Sequence, residues 1–334
     1  MGTAPQPQRS GQNETLVDEK VTQVHAETAD PAPAIAIGAV RVKELRGSLD
    51  WAHRHQSYLQ RRGANNAFWT NQAVRHGSAL EATASTDWVR SASLRRLKQL
   101  IKPTDETLEV GCGNASSLLG PLSHSCRAYG ADLTLEMLIA AKEDHTAIKG
   151  LVRSDACRLP FPDGKFGVVY TSRCLINVLN SAMQTLAIRE VFRVAKPAGS
   201  VILIENFEEP VAAANRAFQV WSAGSPIRDE HNLLLNLERT MELGRELGWI
   251  PVRVFNNTLA SFITHTAIRK ISQLRGAGLI DRVLFPLYEI LTRVEDRFGA
   301  RLPRFGKDTM VVFKHRRFEP RVLQPALVGR HSVG

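Results

Sequence analysis

The apolar and polar positions divide the chain into three parts that predict different structures. Residues 1–44 are rich in Ala, Pro, Gln, Thr and Glu and contain no Phe, Trp or Tyr, which is typical of a disordered leader. Apolar residues at helical spacing dominate residues 45–102, and we expect these residues to form a helical lid. From residue 103 onward, short apolar runs alternate with amphipathic segments, which favours a parallel sheet with helices on both faces.

Seven apolar runs between turn residues predict the strands of this sheet. They lie at residues 106–110, 127–132, 150–156, 166–172, 200–206, 251–257 and 308–316. We therefore expect an α/β fold with a Rossmann-like, doubly wound sheet of seven strands, mostly parallel, with the last strand antiparallel. Residues 103–258 would form the core and residues 307–316 its last strand. Residues 259–306 would form a helical substrate insertion, and residues 317–334 a flexible basic tail.

Amphipathic segments between these runs predict the covering helices. Thr134 is expected to cap a helix through the stretch LEMLIAAKED. Met183, Ala187, Val191 and Val194 recur at helical spacing and predict the buried face of a helix that ends at the stretch KPAGS. A further helix is expected over the stretch HNLLLNLERTMELGRELG.

The stretch LEVGCGN at the end of the first strand predicts a ligand held against the backbone. Gly111 and Gly113 lack a Cβ atom, so a ligand can approach the main chain there. Glu109 would repel a pyrophosphate and suits a cationic amino-acid group instead. The dinucleotide pattern G-x-G-x-x-G also lacks its third glycine, because Ser116 stands there. With Asp132 at the end of the second strand, the pattern favours S-adenosylmethionine over a dinucleotide.

The chain from about residue 87 to residue 314 resembles class I S-adenosylmethionine-dependent methyltransferases, and four blocks within residues 108–205 carry most of the match. LEVGCGNA resembles the first motif, with Ala115 in place of the usual third glycine, which adds a methyl group near the ligand. GADLT, RSDACRLPFPDGKFGVVY and EVFRVAKPAGSVILIE resemble the following three. The resemblance implies methyl transfer, with S-adenosylmethionine as the cofactor. The residues implied to bind it are Glu109, Gly111, Cys112, Gly113, Asn114, Asp132, Leu133, Asp155, Ala156 and Ser172.

Within this set the resemblance implies that Asp132 accepts hydrogen bonds from the ribose hydroxyls and that Asp155 meets the adenine amino group. Structural alternatives remain open. Asp132 can help to cap the next helix, Asp155 can be a surface loop acid, and the two glycines can form an ordinary turn. Cys112 is more typical of a small filling residue than of a nucleophile.

The residues after the fourth strand are expected to border the reacting methyl group. They lack the N-P-P-Y or D-P-P-Y stretch common in enzymes that methylate amino groups of bases or glutamine. Arg173 can orient a polar acceptor or pair with its carboxylate or phosphate; the alternative is a structural ion pair with Glu190 or Glu205. His231 is the best candidate for a general base, because its pKa lies near neutrality; the alternative is a helix cap. Arg75 is a candidate partner for the methionine carboxylate.

The stretches RCLINV and EHNLLLN resemble a branch of these enzymes found among polysaccharide and natural-product genes. The favoured function is therefore methyl transfer to a small-molecule, glycan or lipid-like acceptor, with oxygen as the favoured atom. The net charge of +10 is concentrated from residue 251 onward, with 15 Lys and Arg against 6 Asp and Glu. This basic region keeps open an RNA methyltransferase. A non-catalytic, cofactor-binding scaffold is a third alternative.

Composition limits the remaining possibilities. The four cysteines form no C-x-x-C pair, so we expect free thiols and no metal site. No apolar stretch approaches the roughly 18–20 residues of a membrane span, and the N-terminus lacks a signal-peptide pattern. A cytoplasmic protein is expected, and the oligomeric state is left open.

Overall fold

The computed structural model describes residues 56–83, 88–220, 232–257, 260, 277–298, 306 and 309–318. All of them belong to one compact unit, Gln56–Gly334. The leader expected over 1–44, His231 and most of the tail expected over 317–334 lie outside the described residues, as does part of the insertion expected over 259–306.

Seven strands of the described chain form a single mixed sheet. They are β1 (Glu106–Val110), β2 (Arg127–Asp132), β3 (Gly150–Arg153), β4 (Phe166–Ser172), β5 (Ala195–Glu205), β6 (Trp249–Phe255) and β7 (Thr309–His315). Their order is β3-β2-β1-β4-β5-β7-β6. The first five strands pair in parallel, whereas β7 runs antiparallel to both β5 and β6. The expected fold class is confirmed.

Helices flank this sheet in the described chain. They are α1 (Gln56–His76), α2 (Trp88–Leu100), α3 (Leu119–Ser123), α4 (Leu135–Asp144), α5 (Ser181–Arg193), α6 (Glu208–Val220), α7 (Leu237–Glu246) and α8 (Ala277–Phe298). Short 3₁₀ turns occupy Leu80–Ala82, Leu175–Asn177 and Arg316–Phe318.

Successive strand residues bury their side chains on opposite faces of the sheet, as the pleat requires. In β4, Val169 joins the apolar cluster on one face, whereas Val168 and Tyr170 join the cluster on the other. In β5, Leu203 and Ile204 divide in the same way. Both faces of the sheet are therefore buried, which explains why the sequences of the central strands are nearly continuous apolar runs.

Helix α5 shows how the sequence pattern produces a covering helix. The side chain of Asn180 accepts a hydrogen bond from the Met183 N–H at 3.1 Å and so begins the helix. Met183, Ala187 and Val191 lie one turn apart and are buried. The predicted stripe, which also includes the buried Val194, is confirmed.

Several element boundaries differ from the sequence prediction by a few residues. Strand β5 begins at Ala195, so the stretch KPAG belongs to a strand and not to the end of α5. Strand β3 ends at Arg153. Helix α7 begins only at Leu237, because the side chain of Asn236 accepts from the Arg239 N–H at 2.8 Å and caps the helix there.

Candidate active site

A cavity of about 760 Å³ opens at the C-terminal ends of the parallel strands. Its lining includes Gly111 after β1, Asp132 at the end of β2, Asp155 after β3 and Ser172 at the end of β4. The strand order turns back between β1 and β4, which is where open α/β sheets bind ligands. The volume falls within the range of about 300–1,000 Å³ that is usual for small-molecule sites.

The turn after β1 requires glycine at both positions singled out in the sequence. Gly111 has a φ of +75°, and a Cβ atom there would lie 2.3 Å from the Cys174 Sγ atom. Gly113 has a φ of +54°, and its Cβ would lie 2.9 Å from Thr83 Cγ2. A side chain would therefore meet both backbone strain and a steric clash. The main chain of this turn faces the cavity directly.

Ala115 departs from the family pattern in a different way from the one expected. It is fully buried and does not line the cavity, so its methyl group is not near the ligand site. Its φ is +62°, in the left-handed region. For a residue with a Cβ atom this conformation costs roughly 1–2 kcal/mol. Replacing the third glycine with alanine therefore affects the backbone conformation of the turn and not the contact with a ligand.

Asp132 connects the glycine turn to the helix after β2. One carboxylate oxygen accepts from the Gly113 N–H at 2.8 Å, and the other accepts from the Thr134 N–H at 2.8 Å. Burial raises the pKa of Asp132, and these hydrogen bonds oppose that rise. Each oxygen keeps a further lone pair for a ligand hydroxyl. The helix-starting role and the cofactor role are therefore compatible in one side chain.

Glu109 lies in the cavity wall and is hydrogen-bonded to the buried Tyr170. Its carboxylate accepts from the Tyr170 hydroxyl at 2.9 Å, and it is 2% exposed. Burial raises the pKa of Glu109 to about 8, with the tyrosine hydrogen bond and the nearby Arg90 opposing the rise. The group is consequently mostly neutral at pH 7, and a cation beside it would favour its ionised form.

Helix α1 covers the cavity through three side-chain contacts with the core. Arg62 Nε lies 3.2 Å from Asp155 Oδ2. The Asn65 side chain donates to the Asn177 carbonyl at 2.9 Å. The Thr70 hydroxyl donates to Glu136 at 3.0 Å, on α4. Asp155 is therefore a partner of the covering helix and not an isolated loop acid.

Arg173 follows β4 and lines the cavity in an unusual backbone conformation. Its φ is +53°, which residues with a Cβ atom rarely adopt. The conformation is held on both sides, because its N–H donates to the Ile204 carbonyl at 2.8 Å and its carbonyl accepts from the Asn177 side chain at 2.6 Å. Backbone strain of this kind is typical of functional positions.

The structural ion pair considered for Arg173 is not formed. Glu190 is paired with Arg193, at 2.6 Å. Glu205 accepts instead from the backbone N–H groups of Cys174 and Leu175, both at 3.1 Å. Within the described part of the chain, no carboxylate lies in ion-pair distance of the Arg173 guanidinium, which remains available to a ligand.

Two predicted contacts with the cofactor are not supported by the structure. Asn114 is fully buried and does not line the cavity; its side chain donates to the carbonyls of Gly77 at 3.0 Å and Ala79 at 2.8 Å. It holds the connection after α1 in place. Arg75 is exposed and also absent from the lining, whereas Arg90 lines the cavity beside Glu109.

The other predicted cofactor residues line the cavity. They are Glu109, Gly111, Cys112, Gly113, Asp132, Leu133, Asp155, Ala156 and Ser172. Cys112 is buried, and burial raises its pKa well above the ordinary value, which fits a filling role and not a nucleophile. His231 lies outside the described residues. Of the described part of α8, no residue lines the cavity; its Tyr288 packs in a separate cluster with Ala92 and Ala260.

Sequence reasoning missed the face that α1 presents to the cavity. Its members recur three or four residues apart and combine cationic, amide and aromatic side chains. They are Arg61, Arg62, Asn65, Asn66, Phe68 and Trp69. Helical spacing of such a mixed set, directly before a ligand-binding core, was the available signal.

The central region of the chain is similar to known methyltransferases. Residues 108–203 match a family model described as a methyltransferase domain. The chain is 30% identical over 128 residues to a demethylmenaquinone methyltransferase of Bacillus mycoides, covering 36% of this chain and 53% of that protein. It is 34% identical over 113 residues to the Mycobacterium marinum enzyme of the same name, covering 34% of this chain and 46% of that one. A SAM-dependent methyltransferase from Archaeoglobus fulgidus aligns with a TM-score of 0.45 at 15% identity, covering 69% of this chain and 94% of that chain.

The chain spans about half the length of the curated relatives it matches. The family match runs from β1 into β5 and includes the whole glycine turn. Residues 108–203, which contain the glycine turn and the point where the strand order turns back, thus match a methyltransferase domain. The resemblance inferred from the four motifs is thereby confirmed for this region.

Three further observations describe the chain outside the cavity. Cys112, Cys126, Cys157 and Cys174 are free thiols in the structure. Among the helices that the structure describes, none is both long and apolar enough to cross a membrane. The described residues contain no group of three His, Cys, Asp or Glu side chains placed to hold a metal ion.

Proposed function

We propose that this protein is an enzyme that transfers a methyl group from S-adenosylmethionine to a small-molecule, glycan or lipid-like acceptor, with oxygen as the favoured acceptor atom. One observation carries the proposal: the carboxyl groups of Glu109, Asp132 and Asp155 line the same cavity as Gly111 and Gly113, whose positive φ angles and close neighbours disfavour any side chain. The trio can meet an amino group, ribose hydroxyls and an adenine amino group, all of which are hydrogen-bond donors.

The lining fits this cofactor better than it fits a dinucleotide. A pyrophosphate is usually held at the N-terminus of a helix that directly follows the glycine turn. Here the next helix has only five residues and begins at Leu119. In its ionised form Glu109, directly before the turn, would also oppose a phosphate, whereas a sulfonium and an ammonium group beside it would favour that ionised form.

The chain's own residues would divide the cofactor between them. Asp132 would accept hydrogen bonds from the ribose hydroxyls, and Asp155 would meet the adenine amino group. Arg90, beside Glu109, would pair with the carboxylate of the cofactor's methionine part. When bound, the cofactor supplies a methyl group on sulfur that an acceptor lone pair takes as the carbon–sulfur bond breaks, its electrons remaining on sulfur. The protein's task is then to align the acceptor and to exclude water.

The acceptor would lie between α1 and the segment after β4. Arg173 and Asn177 provide polar groups there, and Ile176, Val178 and Leu179 provide apolar surface. The relatives are named for demethylmenaquinone, which supports a small-molecule acceptor. A general base at His231 and a cytoplasmic location stay predictions. No observation on the described residues favours RNA as the acceptor.

Binding of S-adenosylhomocysteine to the full chain tests the proposal by calorimetry. We expect micromolar affinity for the wild type and a loss of about 100-fold for Asp132→Ala, since two charge-assisted hydrogen bonds disappear. Asp144→Ala, at an exposed position on α4, is the matched control and keeps the affinity. Absence of binding at millimolar ligand would overturn the proposal. Binding without methyl transfer to any extract fraction would favour the scaffold instead.

A further inference from the structure

The cavity carries more positive charge than its cofactor requires. Among the described residues that line it, four are arginines: Arg61, Arg62, Arg90 and Arg173. Its acids are Glu109, Asp132 and Asp155, and the first of these is mostly neutral at pH 7 because burial raises its pKa to about 8. Four cations therefore face two anions. S-adenosylmethionine itself carries one net positive charge, so its binding adds to the excess.

Two of these arginines already have assigned partners. Arg62 is paired with Asp155 at 3.2 Å. Arg90 donates to the Thr83 carbonyl at 2.6 Å and lies beside Glu109, at the glycine turn. Both belong to the half of the cavity where the cofactor would lie.

Arg173 differs from them in position and in pairing. It follows β4, which β1 separates from β2 in the sheet, and its guanidinium has no ion-pair or hydrogen-bond partner in the described part of the chain. Its backbone is nevertheless fixed at a φ of +53° by hydrogen bonds to both Ile204 and Asn177. Because the backbone is held in this strained conformation, the position from which the side chain extends is fixed, which favours recognition of a ligand.

The surface around Arg173 shows what else the ligand must contain. Ile176, Val178, Leu179 and Leu233 line the same part of the cavity. From α1, Phe68 and Trp69 line the cavity as well, with their rings edge to face and the centroids 5.1 Å apart, but Trp69 packs against the cluster of Ala73, Ala82 and Met137, away from Arg173. A cation set in an apolar wall complements a molecule with an apolar body and one anionic group.

From these observations we infer that the methyl acceptor is an apolar or aromatic molecule carrying a carboxylate or phosphate, and that Arg173 binds this anionic group. The inference rests on the proposed function, because it assigns the half of the cavity that the cofactor leaves free. It makes Arg173 a determinant of acceptor specificity. Guanidinium pairs with both anions in a bidentate manner, so carboxylate and phosphate share one chemistry here.

Three naphthalene probes separate the anionic group from the apolar body. Binding of 1-naphthol, 1-naphthoate and 1-naphthyl phosphate to the full chain is measured by calorimetry with saturating S-adenosylhomocysteine. We expect at least one anionic probe to bind about 10-fold more tightly than 1-naphthol, since hydrogen bonds to charged groups are the stronger ones. The tighter of the two anions identifies the group as carboxylate or phosphate.

Variants assign the preference to Arg173. Arg173→Gln should lower the affinity for the preferred anionic probe by about 10-fold or more and change the affinity for 1-naphthol by less than about twofold. Arg173→Lys should keep part of the preference, because charge remains but the bidentate geometry is lost. Arg189→Gln, an exposed arginine on α5, is the matched control and should change nothing.

Equal affinity for all three probes, or no measurable binding of either anion, would overturn the inference. So would a loss in Arg173→Gln that is the same for 1-naphthol as for the anions. Failure of the proposed function looks different, because S-adenosylhomocysteine itself would then not bind. If it binds to Arg173→Gln as tightly as to the wild type and the anion preference is gone, both the function and the inference are supported.

Discussion

The two halves of the cavity are built by different means. The cofactor half depends on the main chain: Gly111 and Gly113 have forced conformations, and Asp132 accepts from backbone N–H groups on both sides. The acceptor half depends on side chains of the segment after β4 and of α1, and α1 is held over both halves by the contacts of Arg62, Asn65 and Thr70. A backbone-defined half is costly to alter, whereas a half made of side chains can change its ligand one residue at a time.

The largest expected effect comes from the glycine turn. Gly111→Ala places a Cβ atom 2.3 Å from Cys174 Sγ at a φ of +75°. We expect a loss of roughly 2–4 kcal/mol in the free energy of unfolding, measured by urea denaturation, together with loss of S-adenosylhomocysteine binding. The matched control is Gly63→Ala on α1, where a Cβ atom meets nothing within 4 Å and should be neutral or stabilising. Unchanged binding in Gly111→Ala would show that the turn does not define the cofactor half.

The second prediction concerns the pH dependence of the cofactor half. Burial raises the pKa of Glu109 to about 8, so the folded chain keeps a proton that the unfolded chain releases above 4.5. Stability should therefore fall as pH rises from about 4.5 to 8. Glu205, whose pKa burial raises to about 7, contributes a fall of the same sign.

Glu109→Gln removes the Glu109 part of this dependence. Relative to the wild type, the variant should gain at least about 1 kcal/mol of stability between pH 6 and pH 8.5. Urea denaturation at both pH values gives the difference, and Glu238→Gln at an exposed position serves as the control. A parallel pH dependence in wild type and variant would mean that Glu109 is already ionised at pH 6.

The third prediction concerns the side-chain contacts of the acceptor half. Asn65→Ala removes the hydrogen bond to the Asn177 carbonyl and should destabilise the closed position of α1 by about 1 kcal/mol. Amide hydrogen exchange in α1 should rise about fivefold, while exchange at the glycine turn stays unchanged. Asn71→Ala, at an exposed position of the same helix, is the control. Faster exchange in both regions would show that the two halves are one cooperative unit.

The smallest effect is expected at Ala115. Ala115→Gly relieves the left-handed conformation at φ +62° and should stabilise the fold by up to about 1 kcal/mol, after the greater chain entropy of glycine is subtracted. Thermal unfolding with and without S-adenosylhomocysteine measures it. Because Ala115 does not line the cavity, the ligand-induced shift should be equal in both proteins. A larger ligand-induced shift of the unfolding temperature in the variant would show that the Ala115 methyl group does lie near the ligand.

The sequence was most informative where local pattern and global fold agree. The strands β1, β2 and β4 begin and end where the apolar runs do, because these runs are buried on both faces and leave little freedom of register. The glycine turn and Asp132 were likewise predictable, because each conformation admits few residue types. The predicted helix end at KPAGS was wrong, because pairing with β4 draws Ala195 into β5.

The contacts of α1 and of the glycine turn with other parts of the chain were harder to predict, because they join residues that are far apart in the sequence. Asn65 meets Asn177 and Arg62 meets Asp155, and neither pair leaves a local signal. Asn114 was assigned to the cofactor because it stands in the motif, yet its amide is used by the carbonyls of Gly77 and Ala79. The strained backbone of Arg173 was equally invisible in the sequence.

The position of β7 has a consequence for how the chain is made. This strand lies between β5 and β6, so it supplies a hydrogen-bonded neighbour to both. During synthesis β6, which ends at Phe255, leaves the ribosome without that neighbour, and 53 further residues separate it from Thr309, the first residue of β7. A nascent chain interrupted in this interval exposes two strand edges at once, which makes it a substrate for chaperones or a seed for aggregation.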